Sequence, residues 1–458
     1  MTVPVAQIAP SAGPNSPTLP PELLSDIFTR CLAIDHRGVA STAPSFILTR
    51  VSRYWRDVAF STPRLWREVG VKVNENERFE AKAAFMRWWL SYSGDGPLTI
   101  SLTESCDYSL PFASPTMDVI SEYLYRCETL FICVPEPRIH FLRTPHAPLL
   151  CNITVEYDSR IDAAHRRDLS LAFAPYVREL VVEWTYLQRL RPCSVQWTRL
   201  HTLDLHGILS AYATLEVLQE CSSLKHCDLT FYELEDEEDA YPLVVHMNEL
   251  ESLVLSYGDG CGINDVLRQL CTPRLTSLHI IAADMCEVPL DVWRSIVPKS
   301  GSSLKDLSIR CEGCITASFE AFLDLLRPMN DLEDLAITGI LGGDPFDGFA
   351  EDFFRALTIP LGEDQGPLTA RTLLPRLREF NVTGVSRNIT QSELCLDVCI
   401  QSLSSSRPER YGTGVNPGLR LLCVQWYVQG DAYVRSWCRQ GCDHFVEKQE
   451  DPSAFTDK

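Results

Sequence analysis

The first apolar residues along the chain recur at the spacing of a helix. Leu24, Ile27, Phe28 and Cys31 stand at positions i, i+3, i+4 and i+7, behind two consecutive prolines. Because prolines are tolerated in the first turn of a helix, this stripe predicts a short amphipathic helix over residues 21–32.

A second helical pattern follows the polar segment 33–43. It runs from Pro44 to a Ser-Thr-Pro stop and carries polar residues on its other side. A module this small cannot easily bury all of its large side chains. Either Trp55 and Trp66 form its core and its packing onto the next domain, or part of its apolar surface meets another chain. The apolar positions of the second pattern are Ile47, Leu48, Val51, Trp55 and Val58.

From about residue 95 onward the dominant pattern is L-x-x-L-x-[LIV], which predicts one short strand per copy. Seven of the ten intervals between successive copies measure 23–28 residues, and leucine-rich units repeat at about 20–29 residues. One such unit cannot bury its apolar face, whereas stacked units form a parallel sheet over a continuous core. The copies begin at Cys127, Leu150, Val177, Leu200, Leu224, Leu250, Leu275, Leu304, Leu332, Leu377 and Leu419.

Apolar stripes between these strands predict that the return segments are mostly helical. The two longest intervals contain insertions, at 342–345 with 360–371 and at 404–418. We interpret these insertions as surface loops, or as loops that contact a substrate. The helical stripes occupy residues 215–221, 319–326 and 349–357.

Three blocks in the amino-terminal module, in order, resemble an F-box, and in particular the F-box-like variant abundant in fungal proteins. The blocks are L-P-x-E-L-L-x-x-I-F from Leu19, V-S-R-x-W-R-x-x-A from Val51 and P-x-L-W from Pro63. The resemblance implies that the module binds the Skp-type adaptor of a cullin-RING ubiquitin ligase. It places these residues at or beneath the adaptor contact: Leu19, Pro20, Leu23, Leu24, Ile27, Phe28, Val51 and Trp55.

The repeats with helical returns also resemble those of F-box-linked leucine-rich proteins. This resemblance implies an α/β fold in which a helical F-box precedes a leucine-rich-repeat solenoid with a parallel sheet on its concave face. The predicted parts are a disordered leader (1–17), an F-box-like helical domain (18–68), the solenoid (69–430), and a carboxy-terminal cap and tail (431–458).

Charge distinguishes the two main parts. The chain contains 41 Lys or Arg and 61 Asp or Glu, for a net charge of -20. Residues 18–73 hold 8 and 5 of these, a net charge of +3, so the residues from 74 onward hold 33 and 56, a net charge of -23. Such an acidic balance argues against a nucleic-acid binder, which needs a basic face. A basic module suits an acidic adaptor.

The amino-terminal segment predicts neither a membrane anchor nor a signal peptide. The first 17 residues contain no charge and are interrupted by Pro4, Pro10 and Pro14. No apolar run in the chain approaches the roughly 20 residues that span a bilayer. The 18 cysteines are scattered through apolar runs, which is typical of a reducing cytosol or nucleus, and we expect one of these locations.

Motifs of known catalytic sites do not occur in the sequence. It has no nucleophile elbow, phosphate-binding loop, zinc-protease helix or dinucleotide fingerprint. Cys311 with Cys314, and Cys438 with Cys442 and His444, offer too few ligands for a structural zinc. We therefore expect no enzymatic activity, no cofactor and no metal. A polysaccharide-cleaving β-helix is the competing catalytic hypothesis, and it would require coils made of strands only and usually secretion.

Alternation along each strand turns positions three, five and seven of the repeat toward the concave face. Acids dominate these positions, and Arg310 is the only Arg or Lys among the copies from Leu150 onward. Either this face attracts a Lys- or Arg-rich segment of a substrate, or it is an ordinary acidic surface without a role. The candidate contacts are Glu183, Asp204, His206, Asp228, His279, Arg310, Asp334 and Glu379.

Taken together, these patterns predict a substrate-recognition adaptor of a ubiquitin ligase. The helices would bind the Skp-type adaptor, and through it a cullin, while the repeats would bind a protein substrate. The alternative is a leucine-rich scaffold or inhibitor outside any ligase, in which the helices serve only as an amino-terminal cap on the repeats.

Overall fold

The computed structural model describes most of the repeat and most of the amino-terminal module. The described residues are 19–32, 44–74, 78–104, 114–134, 147–156, 173–183, 196–207, 211–231, 244–258, 263–282, 304–314, 319–341, 373–374, 376–385, 421–428, 431–439 and 445–449.

Three short helices open the described chain: α1 (Pro21–Arg30), α2 (Pro44–Val51) and α3 (Arg53–Phe60). The first matches the predicted helix, but the expectation of one continuous helix after Pro44 is wrong. Ser52 has an extended backbone (φ -155°, ψ 169°), and its hydroxyl accepts a hydrogen bond from the Trp55 amide. This N-cap starts a new helix and turns the chain between α2 and α3.

The rest of the described chain is built around an open α/β sheet. The strands are β1 (Glu68–Val73), β2 (Leu98–Glu104), β3 (Cys127–Cys133), β4 (Asn152–Glu156), β5 (Glu179–Glu183), β6 (Thr202–Gly207), β7 (His226–Phe231), β8 (Val245–His246), β9 (Ser252–Tyr257), β10 (Leu270–Cys271), β11 (Ser277–Ala282), β12 (Asp306–Cys314), β13 (Asp334–Leu341), β14 (Glu379–Val385), β15 (Leu421–Val428), β16 (Asp431–Arg439) and β17 (Phe445–Gln449).

The strands lie side by side in chain order, except that β8 and β10 pair with each other in a separate small sheet. Every neighbouring pair from β1 to β15 is parallel, while β16 and β17 add antiparallel strands at the end. The segment predicted as a cap from residue 431 therefore extends the sheet by two strands. The insertions at 342–345 with 360–371 and at 404–418 lie outside the described residues.

Helices connect several of these parallel strands: α4 (Phe79–Leu90), α5 (Pro115–Tyr123), α6 (Ala211–Glu220), α7 (Ile263–Gln269) and α8 (Phe319–Leu326). The helical returns predicted near 215–221 and 319–326 are confirmed. The return predicted at 349–357 lies outside the described residues.

Alternation sets which face of each strand is buried. In the unit that begins at Leu200, that residue, Leu203 and Leu205 are each 0–1% exposed, whereas Asp204 and His206 remain half-buried on the other face. Units stack in register through main-chain bonds just before each strand. For example, the Lys225 amide donates to the His201 carbonyl at 2.9 Å, and the Glu251 amide donates to the Lys225 carbonyl at 2.9 Å.

The sheet begins earlier than the leucine pattern indicates. Strand β1 pairs with β2 over its whole length, so that Val69 lies beside Ile100 and Val71 beside Leu102. The pattern missed both strands because Trp66 and Pro97 occupy the positions where later units have leucine.

An aromatic cluster joins the amino-terminal helices to α4. The Trp66 ring stacks on Phe60 at 5.0 Å between centroids and meets Trp89 edge-on at 4.8 Å. Phe46 of α2 lies 5.2 Å from Trp89. The Trp66 indole N–H also donates to the Ala59 carbonyl at 2.8 Å. The helices therefore share one core with the first unit of the sheet, and β1 starts two residues after Trp66.

Three of the seven cysteines whose side chains are described pack as small apolar side chains. Cys127, Cys221 and Cys227 are buried and free. Burial raises the pKa of both the Cys127 and Cys221 thiols to about 12. These thiols are therefore uncharged at neutral pH and poorly reactive.

Helices long and apolar enough to span a bilayer are absent from the described part of the chain.

Candidate binding surfaces

We refer to five exposed apolar side chains, on helices α1 and α2 and just before α1, as the exposed apolar surface. They account for five of the nine large apolar side chains that are exposed among the described residues. Isolated exposed apolar residues are ordinary, but a concentration of them marks an interaction site. The exposed fractions are 47% for Leu19, 55% for Leu23, 42% for Ile27, 59% for Ile47 and 55% for Val51.

Helical periodicity explains how this surface arises. Leu23 and Ile27 are spaced four residues apart and so line one side of α1, and Ile47 and Val51 are related in the same way on α2. Leu19 lies two residues before α1 begins. The other side of α1 faces the module's own core.

The eight residues predicted at the adaptor contact thus fall into two groups. Leu24 and Phe28 are 2% and 0% exposed, and the Phe28 ring packs on the half-buried Trp55 at 5.0 Å between centroids. These three residues form the core beneath the surface. The exposed group consists of Leu19, Pro20, Leu23, Ile27 and Val51.

Ile47 is the exposed residue that the sequence interpretation missed. The helical pattern assigned it to the same apolar stripe as Leu48, which is 8% exposed. The signal that could have found it is its spacing of four residues from Val51, a position in the quoted F-box-like blocks.

Side-chain hydrogen bonds hold the helices beneath this surface in place. The Ser45 hydroxyl donates to the Leu65 carbonyl at 2.8 Å, and the Thr62 hydroxyl lies 2.9 Å from the Ser25 hydroxyl. The phenol of Tyr54 donates to the Leu19 carbonyl at 2.6 Å. The surface is thus displayed on a fixed scaffold, which lowers the entropic cost of binding a partner.

The second candidate surface is the face of the sheet opposite its buried side. The structure places most of the predicted substrate contacts on this face, because their strands pair in register. Asp204 of β6 lies beside Asp228 of β7, and Asp334 of β13 lies beside Glu379 of β14. Glu183 pairs with His206 in the main chain, but its side chain is outside the described part of the structure.

Asp204, His206 and Asp228 form a compact cluster on this face. One donor atom from each lies within 4.8 Å of the others. The His206 ring contacts the Asp204 carboxylate through Nε2, and its Nδ1 lies 3.0 Å from the Thr230 hydroxyl. Burial, together with the neighbouring Asp204 charge, raises the pKa of Asp228 to about 6.

His279 and Asp306 form a second polar group on the same face. Nε2 of His279 lies 2.9 Å from Oδ2 of Asp306, to which the Ser277 hydroxyl also donates at 3.0 Å. The hydrogen bond to Asp306 raises the pKa of His279. Burial alone would raise the pKa of Asp306, but the bonds from His279 and Ser277 lower it overall.

Farther along the sheet, Asp334 is half-buried, and burial and Glu379 raise its pKa. Arg310 is exposed on the same face, on β12. The predicted contacts are therefore brought into rows that cross the strands, and two of these contacts, Asp204 and Asp228, lie close enough to share one ligand.

Sequence reasoning considered metal ligands only among cysteine motifs. Spacing along one chain could not reveal the Asp204–His206–Asp228 cluster, because its third member comes from a neighbouring strand 22 residues beyond His206. Cys311 and Cys314 lie in β12 with undescribed side chains, Cys438 lies in β16, and Cys442 and His444 lie outside the described residues.

No family model matches the chain, and no curated protein matches it.

Proposed function

We propose that this chain is the substrate-recognition subunit of an SCF-type cullin-RING ubiquitin ligase. Helices α1–α3 act as an F-box-like module that binds a Skp-type adaptor, and the sheet with its returns acts as a leucine-rich solenoid that binds a protein substrate. The observation that carries the proposal is the exposed apolar surface at Leu19, Leu23, Ile27 and Val51, positions that the F-box resemblance assigns to adaptor contact.

The burial energy available at this surface supports a protein partner. Fully burying one large aliphatic side chain contributes about 1.5–3 kcal/mol. The five side chains are roughly half exposed, so covering them would contribute on the order of 5 kcal/mol before the costs of association. An apolar surface of this kind is costly to leave in water.

Charge supports an acidic partner for the same module. Residues 18–73 carry a net charge of +3 within a chain of net charge -20. Arg30, Arg50, Arg53 and Arg64 are exposed on or beside the three helices. Cations around an apolar centre favour a partner with acids around its own apolar contact, and they speed the encounter.

The repeat supports the substrate-binding half of the proposal. Its strands pair in register, so that polar side chains at equivalent positions of neighbouring strands form rows on the face opposite the buried side. Asp228, Asp306, Asp334 and Glu379 lie on this face. A Lys- or Arg-rich segment of a substrate is the ligand that this surface fits, and the ligase would act by holding that segment near the conjugating enzyme.

The experiment is co-purification of the full chain with a co-expressed Skp-type adaptor. The test variant is the double substitution Leu23→Glu/Ile27→Glu, which charges the exposed side of α1 and leaves Leu24 and Phe28 intact. The matched control is Leu149→Glu/Val244→Glu, which charges two side chains of similar exposure, 47% and 57%, outside the module.

We expect the control to retain the adaptor and the test variant to lose it, with the same far-ultraviolet circular dichroism in both. Retention of the adaptor by a folded test variant would overturn the proposal, as would failure of the unaltered chain to bind any Skp-type adaptor.

The alternative function, a scaffold with the helices as a cap, is favoured by the aromatic cluster. Phe46 and Trp66 pack on Trp89, and Phe60 stacks on Trp66, so that these rings close the first unit of the sheet. A cap alone, however, needs a polar outer side, and α1 exposes the apolar side chains of Leu23 and Ile27. In the cap-only case the Leu23→Glu/Ile27→Glu variant would bind every partner of the unaltered chain.

A further inference from the structure

The cluster of Asp204, His206 and Asp228 contains two carboxylates and one imidazole on adjacent strands. Asp204 and Asp228 are direct neighbours in the register of β6 and β7. Their side chains leave the sheet on the same face, and both are half-buried. Two like charges held together in a partly desolvated place repel each other, so a cation between them would remove the repulsion.

Two carboxylate oxygens of the cluster could serve as ligands for such a cation. Oδ1 of Asp204 and Oδ1 of Asp228 are both shielded from solvent, and neither accepts a hydrogen bond within the described residues. The Asp204 oxygen is in ion-pair contact with Nε2 of His206. A buried carboxylate oxygen that lacks a hydrogen-bond donor is costly, and a bound ion is one of the few ways to satisfy it.

The second shell of the cluster also suits a metal ligand. Nδ1 of His206 lies 3.0 Å from the Thr230 hydroxyl, which leaves Nε2 to face the carboxylates. A hydrogen bond at one ring nitrogen fixes which nitrogen is turned toward an ion and holds the ring in place. Three donors within 4.8 Å of one another can reach ligand distances of about 2.0–2.2 Å through small side-chain rotations.

We propose that Asp204, His206 and Asp228 bind a divalent first-row transition ion such as Mn2+ or Zn2+. The mixture of carboxylate oxygens and one imidazole suits these ions better than an all-oxygen ion such as Ca2+. Three protein ligands leave coordination positions open toward the solvent side of the sheet. This site is independent of the amino-terminal helices, so its test does not depend on the ligase proposal.

The experiment measures Mn2+ binding by the full chain after treatment with a chelator. Mn2+ is the probe because the chain has 18 cysteines, whose thiolates bind Zn2+ but have little preference for Mn2+. The free aqueous ion gives an electron paramagnetic resonance signal that disappears on binding. We expect one saturable site per chain, with a dissociation constant of about 1–100 μM, a range compatible with a solvent-open site of three ligands.

Ligand variants and matched controls identify the residues. Asp228→Asn and His206→Asn each remove one donor, and we expect each to weaken Mn2+ binding by about tenfold or more. His226→Asn is the control for the imidazole, because His226 is exposed on the same face of β7. Asp334→Asn is the control for charge, since it removes one carboxylate from the same face, four strand positions along the sheet.

Equal affinity in the ligand variants and the unaltered chain would overturn the proposal. So would equal weakening by Asp334→Asn, which would indicate diffuse attraction to an acidic surface, or the absence of a saturable site. Circular dichroism checks that each variant folds. If Asp228→Asn fails to fold, Asp204→Asn replaces it, with the same expected loss.

Discussion

Ile27 and Phe28 are consecutive residues of α1, yet 42% of Ile27 is exposed and none of Phe28. Because successive residues of a helix point about 100° apart, two adjacent apolar residues can lie on different sides of the helix, one facing the core and the other facing solvent. Phe28 packs on Trp55 in the module's core. Ile27 is not packed in this core, so its substitution can affect binding without unfolding the module.

Alanine substitutions at these two positions should have very different effects on stability. Phe28→Ala opens a cavity in the core, and we expect it to lower the free energy of unfolding by about 3–5 kcal/mol. Ile27→Ala should change it by about 0.5 kcal/mol or less, as is usual for surface positions. Urea unfolding followed by circular dichroism measures both. Equal losses would mean that the outer side of α1 is also part of the core.

Trp66 should be the most sensitive single residue of the junction between the helices and the sheet. It is fully buried, stacks on Phe60, and donates its indole N–H to the Ala59 carbonyl. We expect Trp66→Ala to cost about 3–5 kcal/mol. Trp66→Phe keeps part of the ring packing and loses the hydrogen bond, so a smaller cost of about 1–3 kcal/mol is expected. Thermal unfolding of both variants tests this ranking, and the reverse order would contradict it.

Removal of the helices should expose the aromatic side of α4. A chain that begins at residue 68 retains β1 but loses Phe46 and Trp66, which pack on Trp89, and Phe60, which packs on Trp88. We expect this truncated chain to aggregate on expression, since a terminal unit needs a polar cover. The Leu23→Glu/Ile27→Glu variant of the whole chain should stay soluble. A soluble truncated chain with cooperative unfolding would show that the helices do not protect the sheet.

Much of the sheet could be predicted from the sequence because most strands carry the L-x-x-L-x-[LIV] pattern, in which alternate residues are buried. Leu200, Leu203 and Leu205 show by their spacing alone which face is buried. The first two strands were missed because Trp66 and Pro97 replace leucine, although tertiary packing accepts them at the same positions. A pattern that requires leucine at the first position identifies only those repeats that have leucine there.

The candidate sites were harder to predict because they depend on neighbours across space. The resemblance selected α1 as a contact element, which stays a prediction, and only burial separates Leu24 from Leu23, at 2% and 55% exposed. Asp204 and Asp228 were both named as contacts of a substrate. Their proximity follows from the register of β6 with β7, which depends on how long the intervening return is and how it folds.

Salt should distinguish the two surfaces in a single capture experiment. Contacts of the acidic sheet face with a basic segment are screened as ionic strength rises, because the Debye length falls from about 10 Å at 0.1 M to about 3 Å at 1 M. Apolar contacts are not weakened in this way. We expect chains bound to the sheet face to elute from the immobilised full chain between about 0.15 and 1 M NaCl, while the adaptor is retained.

Mass spectrometry of the eluted fractions measures this separation. The test variant is the triple substitution Asp306→Asn/Asp334→Asn/Glu379→Gln, which removes three acids of one row on the sheet face. It should lose the salt-eluted chains and keep the adaptor. Substrate chains that resist 1 M NaCl, or that remain bound to the triple variant, would contradict an electrostatic role for this face.

The His279–Asp306 pair should make stability depend on pH. The pKa of His279 is raised, so its stabilising effect is present below about 6.5 and is lost as the pH rises through its raised pKa. The pKa of Asp306 is lowered, so its effect is present above about 3.9 and is lost as the pH falls through its lowered pKa. Both effects operate together between about pH 4 and 6.5.

Replacement of His279 by Asn should therefore cost more stability at pH 5.5 than at pH 8. Both partners are about 40% exposed, at 40% and 38% of their side chains, so solvent screening limits the effect to about 0.5–1 kcal/mol. Asp228, the other charged group that raises the pKa of His279, is unchanged in this variant. Thermal unfolding of the unaltered chain, His279→Asn and the control His226→Asn, with chelator present, measures the difference at each pH. A loss of equal size at both values would show that the imidazole contributes through packing and not through its charge.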